Sequence, residues 1–195
     1  MQSFHDALRS AGLLVTEQSA TEARLDTQWR ALTEAANTAF ARRDNRSAAR
    51  LYDEALDIAG QVFEVAHEGG SPLIAPMIYN ISCANAAACA SQGGNRMAAC
   101  QLLLRASDKL LTAAESPANP VALRVNCVRH LRYPVQILAR DFEADMAQPD
   151  MGRLLDRCAT VSNEVRRVAG WLLQPQPPPD GPAAMAGPPF AASMH

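Results

Sequence analysis

The residues that could carry out chemistry in this chain are few, and their spacing matches no common catalytic site. His67-Glu68 stands alone at a predicted helix end, where a capping or surface role is expected. Asp53 and Asp57 share one face of a predicted helix, but no histidine or third acid accompanies them as a metal site would require. Phosphate-binding glycine loops and the HExxH and GxSxG motifs are missing from the sequence. We therefore predict a protein that is not an enzyme and that uses no metal or cofactor.

The cysteines have the pattern of buried thiols. There are five, and no two of them form a C-x-x-C pair. Each lies in an apolar helical pattern, where free cysteine behaves as a small hydrophobic residue. Reduced thiols indicate the cytoplasm. The first 14 residues do not resemble a signal peptide, and no apolar run approaches the roughly 20 residues that cross a bilayer.

Composition favours packed helices and gives no electrostatic case for nucleic acid or membrane as the main partner. The chain has 195 residues, of which 48% are hydrophobic, 19% charged and 5% aromatic, with a formal net charge of -2. The apolar residues are mostly alanine, leucine and valine, which pack closely as helices. A single lysine, Lys109, among 18 basic residues, together with the alanine excess, is typical of a GC-rich bacterial genome.

Turn and cap residues divide the chain into six long helices. The predicted helix starts are the capping box Ser19–Glu22, Asp44-Asn45, Ser71-Pro72, Asn95, Asn119-Pro120 and the break at Gln148–Asp150. Glycine pairs after Glu68 and Gln92 end two of the helices. Short turns between long helices predict antiparallel hairpins. The domain plan is therefore an N-terminal segment at 1–18 with a short helix, a helical domain at 19–173 and a proline-rich tail at 174–195. That tail holds seven of the 13 prolines and is expected to be disordered.

Arginines lie on an apolar face of the fifth predicted helix. Arg124 and Arg132 fall on or beside a valine stripe, and Arg129 flanks it. Two interpretations remain open: the arginines pair internally with Asp53, Asp57, Asp141 or Glu143, or they await an anionic ligand. Internal pairing carries the greater weight. Pro134 interrupts the same helix and should open backbone groups there.

A small–large–small pattern recurs along the chain at Ala48, Tyr52 and Ala55 and again at Ala99, Leu103 and Ala106. Upstream of each copy, small residues occur at the same offsets. With these residues the sequence resembles the tetratricopeptide repeat, over Trp29–Gly60 and Tyr79–Leu110. The resemblance implies an all-α fold of antiparallel hairpins forming a right-handed α-solenoid; a closed helical bundle is the alternative.

The resemblance also implies a function. The first helix of each repeat would line a concave groove that holds a peptide, so we expect a cytoplasmic adaptor or chaperone that binds another protein, an acidic one included. The predicted partner-binding residues are Arg30, Asn37, Phe40, Asn85, Arg124 and Arg132. Ile81 and Ala88 would face the same groove. The alternative function is a structural or regulatory bundle acting as a homodimer.

Overall fold

A computed structural model describes residues 2–68, 74–142, 146 and 148–172. These residues form six helices and no strand, which confirms the predicted all-α class. The helices are α1 (Gln2–Ala41), α2 (Asn45–His67), α3 (Ala75–Gln92), α4 (Arg96–Glu115), α5 (Val121–Asp141) and α6 (Gln148–Leu172). Consecutive helices pack against each other. The predicted tail at 174–195 lies outside the described residues.

The first helix is longer than predicted. It runs without a break from Gln2 to Ala41, so the capping box at Ser19 does not begin a helix. No glycine or proline lies between Leu13 and Arg42, so nothing ends the preceding helix there. A serine caps a helix only where the chain already leaves helical geometry. Residues 2–18 are therefore continuous in helix with the domain that follows.

Two helix starts are capped as predicted. The Asp44 carboxylate accepts a hydrogen bond from the Ser47 amide at 3.1 Å. The Asn95 side chain accepts one from the Ala98 amide, also at 3.1 Å. Both caps satisfy amides that would otherwise lack a partner at the first helical turn. The hairpins α1–α2 and α3–α4 thus begin their second helices in the same way.

One other start differs from the prediction, and one predicted start lies outside the described residues. Helix α3 begins at Ala75, with Pro76 in its first turn, and Ser71-Pro72, its predicted start, lies in the part of the chain that the structure does not describe. Pro120, and not Asn119, occupies the cap position of α5. Asn119 instead donates to the Ala113 carbonyl at 2.8 Å, so it closes the end of α4. A cap-type residue before a proline can serve the preceding helix as well as the following one.

The small–large–small pattern marks buried helix contacts. All six of its members are buried, with at most 4% of any residue exposed. The two copies of the pattern differ at one upstream alanine. Ala86 is buried, whereas Ala35, at the same offset in the first copy, is exposed. Ala86 packs beside Ala36 of α1, but no described helix lies on the other side of α1 to cover Ala35.

The odd-numbered helices form one layer. The Trp29 indole of α1 donates to the Ser82 hydroxyl of α3 at 2.8 Å. The Asn80 amide of α3 donates to the His130 carbonyl of α5 at 3.3 Å. These bonds join each odd-numbered helix to the next one.

The even-numbered helices form the second layer. Lys109 of α4 pairs with Glu64 of α2 at 2.6 Å. Arg157 of α6 pairs with Asp108 and Glu115 of α4, each at 2.7 Å. Hydrogen bonds from Arg157 lower the pKa of Glu115 below its usual range. The chain therefore alternates between two layers, as stacked hairpins do.

The two equivalent turns give a matched pair of substitutions. Arg43 and Gly94 precede the two caps and have positive φ, 59° and 82° respectively. A side chain is strained in this conformation and glycine is not. Arg43→Gly should raise the free energy of unfolding by roughly 0.5–1 kcal/mol, and Gly94→Ala should lower it by about 1 kcal/mol. Urea denaturation measures both. A loss of stability in Arg43→Gly would contradict the strain assigned to this turn.

Candidate functional site

A groove runs between α3 and α5 on the outer side of the odd-numbered layer. Its volume is about 460 Å³. We call it the α3–α5 groove and define it by Met77, Asn80, Ile81, Ala84 and Asn85 of α3 with Arg129, His130, Arg132 and Tyr133 of α5. A second cavity of about 530 Å³ shares Ala84 and extends toward the ends of both helices. Together the two cavities follow much of the length of α3.

The rim of the groove exposes large apolar side chains. Met77, Ile81 and Tyr133 are 39%, 37% and 57% exposed. Met77 and Ile81 are four residues apart, so they lie on one face of α3. An apolar rim beside a recess is typical of a surface that binds another molecule.

The charge of the groove is positive and comes from one helix. Helix α3 carries no charged side chain. Helix α5 contributes Arg129 and Arg132, and neither forms an ion pair with a described residue. The carboxylate of Asp141, in the adjoining cavity, is held by Arg140 through two hydrogen bonds of 2.7 and 2.6 Å. Among the residues that the structure describes, the groove therefore offers an anionic ligand two arginines and no competing carboxylate.

His130 lies in this positive surrounding. Burial lowers the pKa of its imidazole, and the nearby Arg129 and Arg132 lower it further. The neutral ring is favoured at neutral pH. A negative charge brought to the arginines would act in the opposite direction and favour protonation of the ring.

Asn80 is the most constrained polar group of the groove. Pro134 lacks an amide hydrogen, so it cannot donate to the His130 carbonyl one turn earlier in α5. The Asn80 Nδ2 donates to that carbonyl instead, at 3.3 Å. Because a carbonyl can only accept, this bond fixes the orientation of the amide. The Asn80 Oδ1 is left buried without a donor, although the residue is only 5% exposed.

Two of the predicted partner-binding residues line the groove. Asn85 is on the α3 side and Arg132 on the α5 side. Ile81 also lies there, and Ala88 lines the adjoining cavity. Sequence reasoning noted Arg129 only as a flanking residue and missed Met77, Asn80 and Tyr133. Met77 lies four residues before Ile81, and Tyr133 lies four residues after Arg129. These spacings place each pair on one helix face and could have indicated Met77 and Tyr133.

The three predicted residues of α1 do not line the groove. Arg30 is exposed and pairs with Asp26 at 2.8 Å. Asn37 accepts a hydrogen bond from the Tyr52 hydroxyl at 2.7 Å. The Phe40 ring packs edge-on against Tyr52, with 6.3 Å between ring centroids. Asn37 and Phe40 thus join α1 to α2.

Arg124 was predicted to face a partner, but it lies in the interior of the protein. It is 4% exposed. Its Nε donates to the Ala114 carbonyl at 2.7 Å, and one terminal nitrogen reaches the Glu164 carboxylate at 3.2 Å. Internal pairing was the interpretation with greater weight, but its proposed acids did not include Glu164. Arg124 therefore joins α5 to the end of α4 and to α6.

The remaining reactive groups lie in structural positions. All five cysteines are free thiols, and burial raises the pKa of Cys83 and of Cys127 to about 12. His67 contacts Asn119 at 2.7 Å, and its ring packs at a tilt against the Phe63 ring, with 5.2 Å between ring centroids. Over the described residues, no three histidine, cysteine or acidic side chains are grouped to hold a metal ion.

Comparison with known proteins gives one family. Residues 27–172 match the model of a family described as protein of unknown function, DUF2753. The chain belongs to this family. The DUF2753 match covers α2 to α6 and part of α1, and so includes both walls of the α3–α5 groove. No curated protein matches the chain. Within the part of this DUF2753 chain that the structure describes, no helix is both long and apolar enough to cross a membrane.

The two arginines of α5 in this DUF2753 chain should respond differently to truncation. Arg124→Ala removes a buried charged hydrogen bond and an ion pair, so the free energy of unfolding should fall by about 2 kcal/mol. Arg132→Ala removes an exposed side chain and should change it by less than about 0.5 kcal/mol. Urea denaturation of both variants tests this. Equal losses in the two variants would show that Arg124 has no special structural role.

The link between Asn80 and Pro134 can be tested by a double-mutant cycle. Asn80→Leu leaves the His130 carbonyl unpaired and should lower the free energy of unfolding by about 1 kcal/mol. In a Pro134→Ala background the new amide can pair with that carbonyl, so Asn80→Leu should cost nothing. Thermal or urea unfolding of the four proteins gives the coupling energy. An Asn80→Leu loss that is the same in both backgrounds contradicts the link.

Proposed function

We propose that this protein is a non-enzymatic interaction module, a cytoplasmic adaptor or chaperone that binds a protein segment in the α3–α5 groove. The observation that carries the proposal is the apolar rim beside two arginines that form no ion pair with a described residue. Met77, Ile81 and Tyr133 would supply hydrophobic anchors, and Arg129 and Arg132 would supply charged contacts. The stacked hairpins and their alanine contacts support a tetratricopeptide-like arrangement.

The dimensions of the groove suit a short peptide segment. The groove and the adjoining cavity together reach from Met77 to Ser91 of α3, which corresponds to about 21 Å. An extended segment of roughly six residues has the same length, at about 3.3 Å per residue. A small molecule of ordinary size would leave much of the apolar rim exposed. A protein segment could cover the rim and both cavities together.

The chemistry of the groove favours binding over catalysis. Its polar groups are arginines, asparagines, a tyrosine and one histidine, and no carboxylate or thiol of a described residue lines the α3–α5 groove. An acid–base site needs groups with matched pKa values in contact. The free thiols support the cytoplasm as the compartment.

A homodimer is the second candidate, because two copies could cover each other's apolar rims. Electrostatics argue against it. Face-to-face grooves would bring Arg129 and Arg132 of one copy toward the same residues of the other, and like charges in a buried interface are costly. The groove charge thus favours a different protein as the occupant.

Site-specific photo-crosslinking in the source cells tests the proposal. A photoreactive amino acid at Ile81 should crosslink to defined segments of other proteins, which mass spectrometry identifies. The matched control places it at Leu155 of α6, which is also apolar and 46% exposed. Identical crosslinks from both positions would contradict binding in the groove. Crosslinks from Ile81 to a second copy of this chain would favour the homodimer.

A further inference from the structure

We propose that the α3–α5 groove selects an acidic segment with apolar side chains, placing its carboxylates on Arg129 and Arg132. This inference rests on the proposed function and specifies the chemistry of the occupant. It uses two features of the groove, its charge and its apolar rim.

Charge complementarity identifies the sign of the occupant. Arg129 and Arg132 lie on the same side of the groove, and α3 on the other side carries no charge that could neutralise them. A carboxylate gains charge-assisted, bidentate hydrogen bonds from an arginine. A lysine-rich segment would meet repulsion from both arginines without any compensating acid. The groove thus discriminates against basic segments as well as attracting acidic ones.

The apolar rim identifies the occupant as a polypeptide. Met77 and Ile81 are 39% and 37% exposed beside the arginines, so the occupant must bring apolar groups together with negative charge. An acidic polypeptide segment supplies carboxylates and apolar side chains together. The phosphodiester backbone of a nucleic acid is anionic but would leave the rim at Met77 and Ile81 without an apolar partner.

Protonation of His130 is expected to accompany binding. The charged groups around this ring are Arg129 and Arg132, and Tyr133 is the other titratable group of the groove; α3 contributes no charged side chain. The arginines help keep the free ring neutral. Carboxylates on the arginines would offset their charge and raise the pKa of the ring. An acidic segment should therefore bind more tightly at about pH 6 than at about pH 8.

Selection from a phage-displayed library of random twelve-residue peptides tests the proposal on the full chain. The wild-type protein should enrich aspartate and glutamate over lysine and arginine, together with apolar residues. The double variant Arg129→Glu, Arg132→Glu should lose the acidic enrichment, and Arg129→Lys, Arg132→Lys should keep it. The control Arg153→Glu, Arg166→Glu makes the same charge change on exposed residues of α6 and should behave as wild type. Circular dichroism checks that each variant is folded.

The outcomes separate this inference from the proposed function. Peptides that depend on Ile81, as judged with Ile81→Ser, but show no acidic preference would overturn the inference and leave the proposed function standing. Peptides insensitive to Ile81→Ser and to both charge variants would overturn both. Tighter binding of a twelve-nucleotide single-stranded RNA than of any selected peptide, lost in the glutamate variant, would also overturn the inference.

The role of His130 is measured with one selected acidic peptide. His130→Gln should remove the difference in affinity between about pH 6 and about pH 8. A pH difference that persists in His130→Gln would overturn the role of the imidazole.

Discussion

Close approach of helices through alanine is the constraint on which the rest of the structure depends. Where α1 meets α2 and α3, Ala36, Ala48 and Ala86 are buried at the contacts, and Ala99 has the equivalent position in α4. A methyl group at such a contact lets two backbones lie near each other, and a larger neighbour fills the remaining gap. Helix α3, which packs against α1 in this way, carries no charged side chain along its whole length. Its outer edge is then the apolar wall of the groove.

The charges of the groove follow from the position of α5. One side of this helix packs on α4 and α6, where Arg124 is enclosed and bonded. The other side faces α3, which has no acid to offer to Arg129 and Arg132. Arg132 also borders a recess between α5 and α6, and neither arginine forms an ion pair with a described residue. Pro134 adds a backbone defect at the same level, and Asn80 of α3 repairs it. The same helix thus provides buried contacts through Arg124 and the charged, exposed side of the groove.

Sequence reasoning succeeded where the determining contacts are local. The caps at Asp44 and Asn95 and the turn at Gly94 act within three or four residues, so their pattern could be read directly. It failed where the partner is distant in sequence. Glu164 lies 40 residues beyond Arg124, and no spacing rule connects them.

The groove was predicted only in part for the same reason. Asn85 and Ile81 were assigned to it from their positions on α3, but the opposing wall was expected to include α1. The pairing of α3 with α5 depends on tertiary contacts such as Asn80 with His130, separated by 50 residues. The most direct measurement is hydrogen–deuterium exchange of the whole protein with and without a saturating acidic peptide. The account predicts slower exchange in α3 and α5; slower exchange confined to α1 and α2 would contradict it.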